Sequence, residues 1–340
     1  MTRPSARQTV KGAGLRVTLG KPEPGVSYPE VLTDRQAPDA LRALRALVGI
    51  LVGISLYMVL VPLVATLVIA AGYSLDGSTE SWTTYLPDAM AFHHPWGLLG
   101  TNLGLAMLIL ISLGLVHFLH GRSTRWLSSV QPGMRWRYLL LCLPAAIAVL
   151  GGMQVLGAGS LDGQAQPRIW LWLALVLISS PLQAAGEEFF FRGYLMQAFG
   201  SMVPARQSAR VVQIVSVVAS AALFAAFHGV QNVPMFVDRF GFGLLAGFLV
   251  VLTGGLEGGI ACHVVNNLMA FAWAAFHGGI SQARALQSIG WAQAVTDLVA
   301  FGIFGVLACL LARPMRLART TPGASPEVDG GRFGTATETR

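Results

Sequence analysis

Apolar residues along this chain gather into long unbroken runs, without the alternation of a strand or the narrow stripe of a soluble amphipathic helix. A crossing of the hydrocarbon core takes roughly 20 mostly apolar helical residues, and about eight runs of that kind can be marked. They lie near Leu47 to Ala71, Trp96 to Leu119, Tyr138 to Leu156, Ile169 to Glu187, Val211 to His228, Gly241 to Leu252, Gly258 to Phe276 and Trp291 to Leu311. The sixth is short, and the fourth runs into a charged cluster. The expected architecture is all-α: a polytopic membrane protein with about eight transmembrane helices. Residues 1–40 form a polar N-terminal tail, 41–312 the transmembrane domain, with its chemistry between about 169 and 277, and 313–340 a disordered tail rich in Gly, Thr and Pro.

Composition agrees with the pattern. Hydrophobic residues make up 54% of the chain and charged residues 11%, against roughly 25% charged in soluble domains. The formal charge of +7 would suggest a nucleic-acid partner in a soluble protein, but here it is distributed by loop, so no nucleic acid is expected. Eight basic residues precede the first run (Arg3, Arg7, Lys11, Arg16, Lys21, Arg35, Arg42, Arg45), whereas the loop from Gly72 to Pro95 has none and carries Asp76, Glu80 and Asp88. Arg122, Arg125, Arg135 and Arg137, then Arg206 and Arg210, then Arg313, Arg316 and Arg319, complete an alternation that places both tails in the cytoplasm by the positive-inside rule. The first forty residues lack the short apolar core of a secretory signal peptide. Cys142, Cys262 and Cys309 sit singly in apolar runs and read as small core residues.

Ionisable groups at bilayer depth cost about 2.5–3.5 kcal/mol each on insertion scales, which makes every one a candidate for function. Three clusters stand out. In Gly186-Glu187-Glu188-Phe189-Phe190-Phe191-Arg192, successive helical residues diverge by about 100°, so the two acids face different ways. Glu188 and Arg192 stand four apart in the favourable order for an ion pair, which leaves Glu187 free. The bland alternative is an interfacial helix end with its own salt bridge. The second cluster is Phe224 to Gly229, where His228 ends an apolar stretch and by itself reads as an interfacial histidine. In the third, His263-Val264-Val265-Asn266-Asn267, His263 and Asn267 share one helical face. Two such groups suit a developing oxyanion, or else serve as interhelical hydrogen-bond glue.

Glu-Glu-x-x-x-Arg at 187–192, Phe-x-x-x-His at 224–228 and His-x-x-x-Asn at 263–267, in that order and each in its own span, resemble the motifs of the CPBP family. This family of CAAX proteases and bacteriocin-processing (Abi) proteins includes the type II CAAX prenyl endopeptidase. The resemblance covers about Ile169 to Phe276. It implies an intramembrane endopeptidase acting on membrane-associated, lipidated proteins and placed among the lipids of the cell membrane. Glu187 with His228 would activate a water, Glu188 and Arg192 would orient and anchor, and His263 and Asn267 would donate to the oxyanion. The cofactor expectation is none, with Zn2+ held by Glu187, His228 and His263 as the alternative. No His-Glu-x-x-His is present. Rival readings are a non-catalytic binding or immunity protein and a transporter that uses the buried charges as an ion relay.

One conflict follows from the span boundaries. If the fourth helix ended at Glu187 on the cytoplasmic side, His228 would lie about 25 Å away by helix rise. Either the fourth helix is long and tilted, continuing to about Phe199 with Glu187 at mid-depth, or the span boundaries around Arg192 to Arg210 lie elsewhere; the long helix is the expectation. Breaks at Pro234 and at Gly254, Gly255, Gly258 and Gly259 would bend spans six and seven toward the site, and the Gly243 to Gly247 spacing would allow close helix packing. His117 and His120 read as interfacial anchors, and no role is expected for His93, His94 or His277.

Overall fold

The structure is a computed structural model in which residues 19–157, 164–277 and 279–323 are described. Ten helices organise these residues: α1 (Asp39–Asp76), α2 (Trp82–Met90), α3 (Pro95–Leu119), α4 (Trp136–Leu156), α5 (Ile169–Met202), α6 (Ala209–Ala226), α7 (Val233–Thr253), α8 (Glu257–Phe276), α9 (Ile280–Ala285) and α10 (Trp291–Ala312). All but α2 and α9 are long and apolar enough to cross a membrane, giving eight candidate spans, and there is no strand among the described residues. The protein is an all-helical, multi-pass membrane protein. Its outward faces carry large apolar side chains, such as Leu63, Leu177 and Val306, as a lipid-facing surface requires.

Helix ends follow local chemistry. Ser208 caps α6 by accepting from the Val211 amide, and Asn232 caps α7 by accepting from the Met235 amide at 3.1 Å. Pro234 therefore lies in the first turn of α7, where a missing N–H costs nothing. The expected break there is instead a helix start, and the sixth span is 21 residues long. Gly254 adopts φ 74° and ends α7 in the left-handed region. Gly258 and Gly259 continue as ordinary residues of α8, so the only glycines of the four that redirect the chain are in the turn at 254–255.

The helix α5 is 34 residues long, passes Phe199 and ends at Met202, which places Glu187 near its middle. It packs between α3 and α8, while α1 covers α3, α6 lies on α7, α7 lies on α10, and α4 backs α8. Two of the glycine-dependent approaches bear on the site and its neighbours. A Cβ on Gly186 would come within 2.4 Å of the Leu105 carbonyl oxygen, so α3 and α5 touch backbone to backbone beside Glu187. Cβ atoms on Gly243 and Gly247 would meet Ala221 and Val217 at 2.8 Å each, which is the close α6–α7 packing that their spacing suggested.

The two tails meet on one face of the bundle. The Gly25 amide donates to the Thr321 carbonyl at 3.1 Å and the Thr321 amide to the Val26 carbonyl at 2.9 Å. Residues 313–323, expected as the start of a disordered tail, are thus packed against the N-terminal segment, and Thr321 is buried. Residues 324–340, the remainder of that expected tail, and residues 1–18 lie outside the described residues. Tyr28, fully buried, donates to the Leu127 carbonyl and pins the N-terminal segment to the loop before α4. Nearby, Arg135 grips Glu257 at the start of α8 with Nε–Oε1 2.9 Å and Nη2–Oε2 2.5 Å, the bidentate geometry of a strong pair.

Candidate active site

Glu187 is the last residue of regular α-helix in the first part of α5, and Glu188–Leu195 continue as a π-helix. A π segment lodges an extra residue per turn, displaces carbonyls from their usual partners and is frequent at functional sites. One carbonyl in this stretch, that of Phe191, is taken up by the Ser220 hydroxyl of α6 at 2.6 Å, which ties the widened turn to the neighbouring helix.

The two acids diverge as their adjacency demands. Glu188 turns into the bundle, where its Oε1 accepts from Arg192 Nη1 at 2.9 Å, with both side chains fully buried. The Arg192 guanidinium also lies over the Phe224 ring at 3.9 Å and the Phe242 ring at 5.2 Å, so aromatic faces stand where water would otherwise solvate it. Glu187 faces a cavity of about 790 Å³ inside the helical bundle, which His228, His263 and Asn267 also line. A volume of that size accommodates an extended peptide segment. The residues singled out in three separate stretches of sequence thus converge on one hollow.

His263 stands between the two acids. Its Nδ1 is 2.8 Å from Glu188 Oε1 and its Nε2 is 3.4 Å from Glu187 Oε2. With Nδ1–H donating to Glu188, Nε2 is the ring atom left facing Glu187. The ring expected to donate to an oxyanion thus has both of its nitrogens turned toward carboxylates. Asn267 is similarly engaged: its Nδ2 donates to Gln183 Oε1 at 2.7 Å.

His228 follows the last turn of α6. Its Nδ1 is 2.7 Å from the Phe224 carbonyl oxygen, a group that the helix end leaves without an intrahelical partner. A carbonyl only accepts, so Nδ1 carries the hydrogen and Nε2 of the neutral ring is the acceptor. The ring is open to the cavity, yet the surrounding protein holds its pKa below the ordinary imidazole value by desolvation, against the opposing pull of Glu187. Phe224 packs edge-on against both histidines, with ring centroids 4.6 Å from His228 and 5.9 Å from His263. One aromatic side chain thereby sets the attitude of Arg192, His228 and His263.

Zinc ligation requires three or four donor atoms around one point. Among the described residues, only Glu80, Asp88 and His94 bring three such atoms within 4.8 Å of one another, outside the cavity. Glu187 and His263 supply two facing donors, but Glu187, His228 and His263 as placed do not form that set, and the fit to zinc is incomplete.

Several cavity residues gave no sequence signal strong enough to single out. Gln183 lies one turn before Glu187 and was legible as a polar residue on the same face of an apolar helix. Asn102, buried at 3% exposure, donates to Ser179 and Ser180 at 2.9 and 3.1 Å, and ties α3 to α5 at the cavity wall. Tyr57 of α1 lines the cavity and packs against Phe190 and Phe227, while Asp238 and Arg239 reach it from α7. Of the remaining histidines, His120 lies 3.3 Å from the Tyr194 hydroxyl, and His94 and His277 pack on Tyr85 and Trp273.

Comparison with known proteins adds an independent observation. The chain is 26% identical over 166 residues to the uncharacterised protein YyaK of Bacillus subtilis (strain 168), covering 45% of this chain and 53% of that protein, so it spans about half the length of this curated relative. No solved structure matches. Residues 168–269, which hold all three motifs, match the family described as type II CAAX prenyl endopeptidase Rce1-like. The resemblance drawn from the motifs is thereby borne out: within this eight-span chain, residues 168–269 are similar to the Rce1-like family.

Proposed function

We propose that the protein is an intramembrane endopeptidase that hydrolyses peptide bonds of membrane-associated proteins with a glutamate-activated water. The observation that carries this reading is the convergence of Glu187, His228 and His263 on one cavity within the spans, with His263 clamped between Glu187 and Glu188. The CAAX-type similarity of residues 168–269 supports the reaction class.

In this mechanism a water sits between Glu187 and His228 Nε2. Glu187 takes its proton as the oxygen attacks the scissile carbonyl, and the carbonyl electron pair moves onto oxygen. The tetrahedral intermediate collapses when the C–N bond breaks and the proton on Glu187 passes to the leaving amine. Glu188 and Arg192 do not touch the substrate. They hold His263 in its orientation, and His263, 3.4 Å from Glu187 Oε2, keeps that carboxyl aimed at the water. The desolvated setting strengthens each of these interactions relative to water.

The substrates we propose are proteins carrying a lipid near a CAAX-like C-terminus. The cavity wall contributed by Met58, Val61, Pro62 and Phe271 is apolar, as a lipidated segment would require. We further place the protein in the cell membrane with both tails in the cytoplasm, on the strength of the arginine distribution and of the tails sharing one face. The test is proteomic comparison of membrane-protein C-termini in cells carrying the wild type or Glu187→Gln. The wild type should generate truncated termini that the variant does not. Identical termini in the two would overturn the proposal in favour of a binding or immunity role, and flux of an ion in liposomes dependent on Glu187 would favour a transporter.

A further inference from the structure

One cation in the cavity wall has no part in the hydrolysis described above. Arg239 lies in the second turn of α7, half-buried, and lines the same cavity as Glu187 and His228. A charged side chain within a span is costly unless something compensates it, and so marks a candidate for function. Arg192 and Arg135 are compensated inside the fold by Glu188 and Glu257. Among the described residues, no carboxylate oxygen comes within 4.0 Å of the Arg239 guanidinium. We infer that Arg239 binds a carboxylate of the substrate.

The guanidinium is held in place by its surroundings. Gln231 Nε2 donates to the Ala225 carbonyl at 2.7 Å, which fixes the orientation of that amide and leaves Oε1 as an acceptor; Arg239 Nη1 donates to it at 2.8 Å. This uses one corner of the group. The opposite edge, Nε and Nη2, has no hydrogen-bond partner among the described residues, and its two parallel N–H groups match the two oxygens of a carboxylate. Asp238 also lines the cavity, but as the adjacent helical residue it diverges by about 100°. Arg284 of α9, 5.4 Å over the Phe92 ring, adds a second cation to the lining. Two arginines against one aspartate make this stretch of wall favourable for an anion.

Within the peptidase reading, this names the group by which the substrate is recognised. Hydrolysis near a C-terminus leaves a short peptide whose α-carboxylate stays on the leaving fragment, and an extended tripeptide spans about 10 Å. An arginine gripping that carboxylate sets how far from the chain end the bond presented to Glu187 lies. The contact is remote from the reacting atoms and is made equally in the ground and transition states, so its loss is read in KM and not in kcat. An acidic side chain near the terminus would offer the same chemistry.

The inference rests on the peptidase reading, and the experiment keeps the two apart. Purified full-length protein in detergent is given three versions of one internally quenched farnesyl-cysteine peptide: one ending in a free carboxylate, one in a C-terminal amide, and one amidated with Glu as its last residue. KM and kcat are measured for wild type, Arg239→Met, Arg239→Lys and Arg284→Gln. Binding of fluorescein-labelled forms is followed by anisotropy on Glu187→Gln with and without Arg239→Met. In the wild type, amidation should raise KM about 10- to 100-fold, the worth of hydrogen bonds between charged groups, with kcat changed less than about threefold. Arg239→Met should raise KM for the free acid by a similar factor and leave the amide unaffected, whereas Arg239→Lys, which keeps the charge without the fork, should fall between. Recovery with the amidated Glu peptide assigns the carboxylate to a side chain, and no recovery assigns it to the chain end. Equal wild-type KM for all three peptides overturns the inference without any variant having to fold, as does an Arg239→Met that raises KM equally for all three. A larger acid-specific effect from Arg284→Gln than from Arg239→Met overturns the assignment to Arg239. Undiminished cleavage by Glu187→Gln, or none by the wild type, overturns the peptidase reading; the carboxylate site then stands or falls on whether binding prefers the free acid and loses that preference with Arg239→Met.

Discussion

The most demanding consequence of the arrangement concerns Arg192. Replacing it with Met keeps the length and bulk of the side chain but strands Glu188 in a site where both partners are fully buried and bonded at 2.9 Å. Breaking a buried pair by removing one member costs about 3–5 kcal/mol, because an uncompensated charge is left behind. The His263 Nδ1–H, 2.8 Å from Glu188, still compensates in part and argues for the lower end of that range. Loss of the cation–π contact with Phe224 at 3.9 Å adds about 2 kcal/mol for a desolvated cation, of which a methionine sulfur on the same ring returns roughly 1 kcal/mol. The sum is about 4 kcal/mol, equivalent to a fall in Tm of roughly 8–16 °C at the 2–4 °C per kcal/mol of domains of about 150–250 residues. Thermal unfolding in detergent can be followed with a thiol-reactive fluorophore, since Cys142 and Cys262 are buried in the native fold. The double variant Arg192→Met/Glu188→Leu removes both charges and should recover at least half of the loss, as apolar replacements of buried pairs do. A fall of less than about 2 °C in Arg192→Met, or a double variant no more stable than the single one, would refute the claim that a stranded carboxylate is the source of the loss.

Other expectations follow from individual contacts. Gly186→Ala places a Cβ 2.4 Å from the Leu105 carbonyl oxygen and 3.1 Å from Ala106 Cα; separating α3 from α5 should cost about 1–3 kcal/mol, visible as a lowered Tm, and an unchanged Tm would contradict the close packing. His120 is held neutral by burial, which pushes its pKa down to about 4 from 6.5. The folded state thus binds its proton less readily than the unfolded chain, so the stabilisation is intact above pH 6.5 and is lost as pH falls from there toward about 4. Tm measured across that interval should drop more steeply for the wild type than for His120→Gln, and parallel curves would exclude the effect. Because Glu187, His228 and His263 do not assemble a three-donor set, 1,10-phenanthroline should leave cleavage within about twofold of the untreated rate, and loss of activity restored by added Zn2+ would reverse that expectation.

Much of this was legible in the sequence because it depends on local or one-dimensional properties. Span count follows from the length of apolar runs, since lipid admits only backbones whose hydrogen bonds are satisfied within the helix. The Glu188–Arg192 pair follows from a four-residue spacing and a shared face. The long α5 was the favoured of two readings of a distance argument, because a helix ending at Glu187 would strand the histidine of the second motif. What misled the reading was punctuation. Pro234 and the glycines at 258 and 259 look like breaks in isolation, but one lies in a first helical turn and the others sit inside α8, where a Cβ on Gly259 would press on Glu188 Oε2 at 3.0 Å.

The sequence by itself determined the class, the number of crossings and the faces on which the chemistry lies, since all three are properties of a single helix and its solvent. Only the tertiary structure decided which of those faces meet. It placed His263 between Glu187 and Glu188, gave Asn267 to Gln183, and widened α5 into a π-helix that Ser220 from α6 ties down. Spacing specifies the direction in which a side chain leaves its own helix, whereas its hydrogen-bond partner is set by the rotation and depth of a neighbouring helix, 84 residues away for Asn267 and Gln183. Those two quantities are settled by packing and by the need to satisfy every buried polar group together.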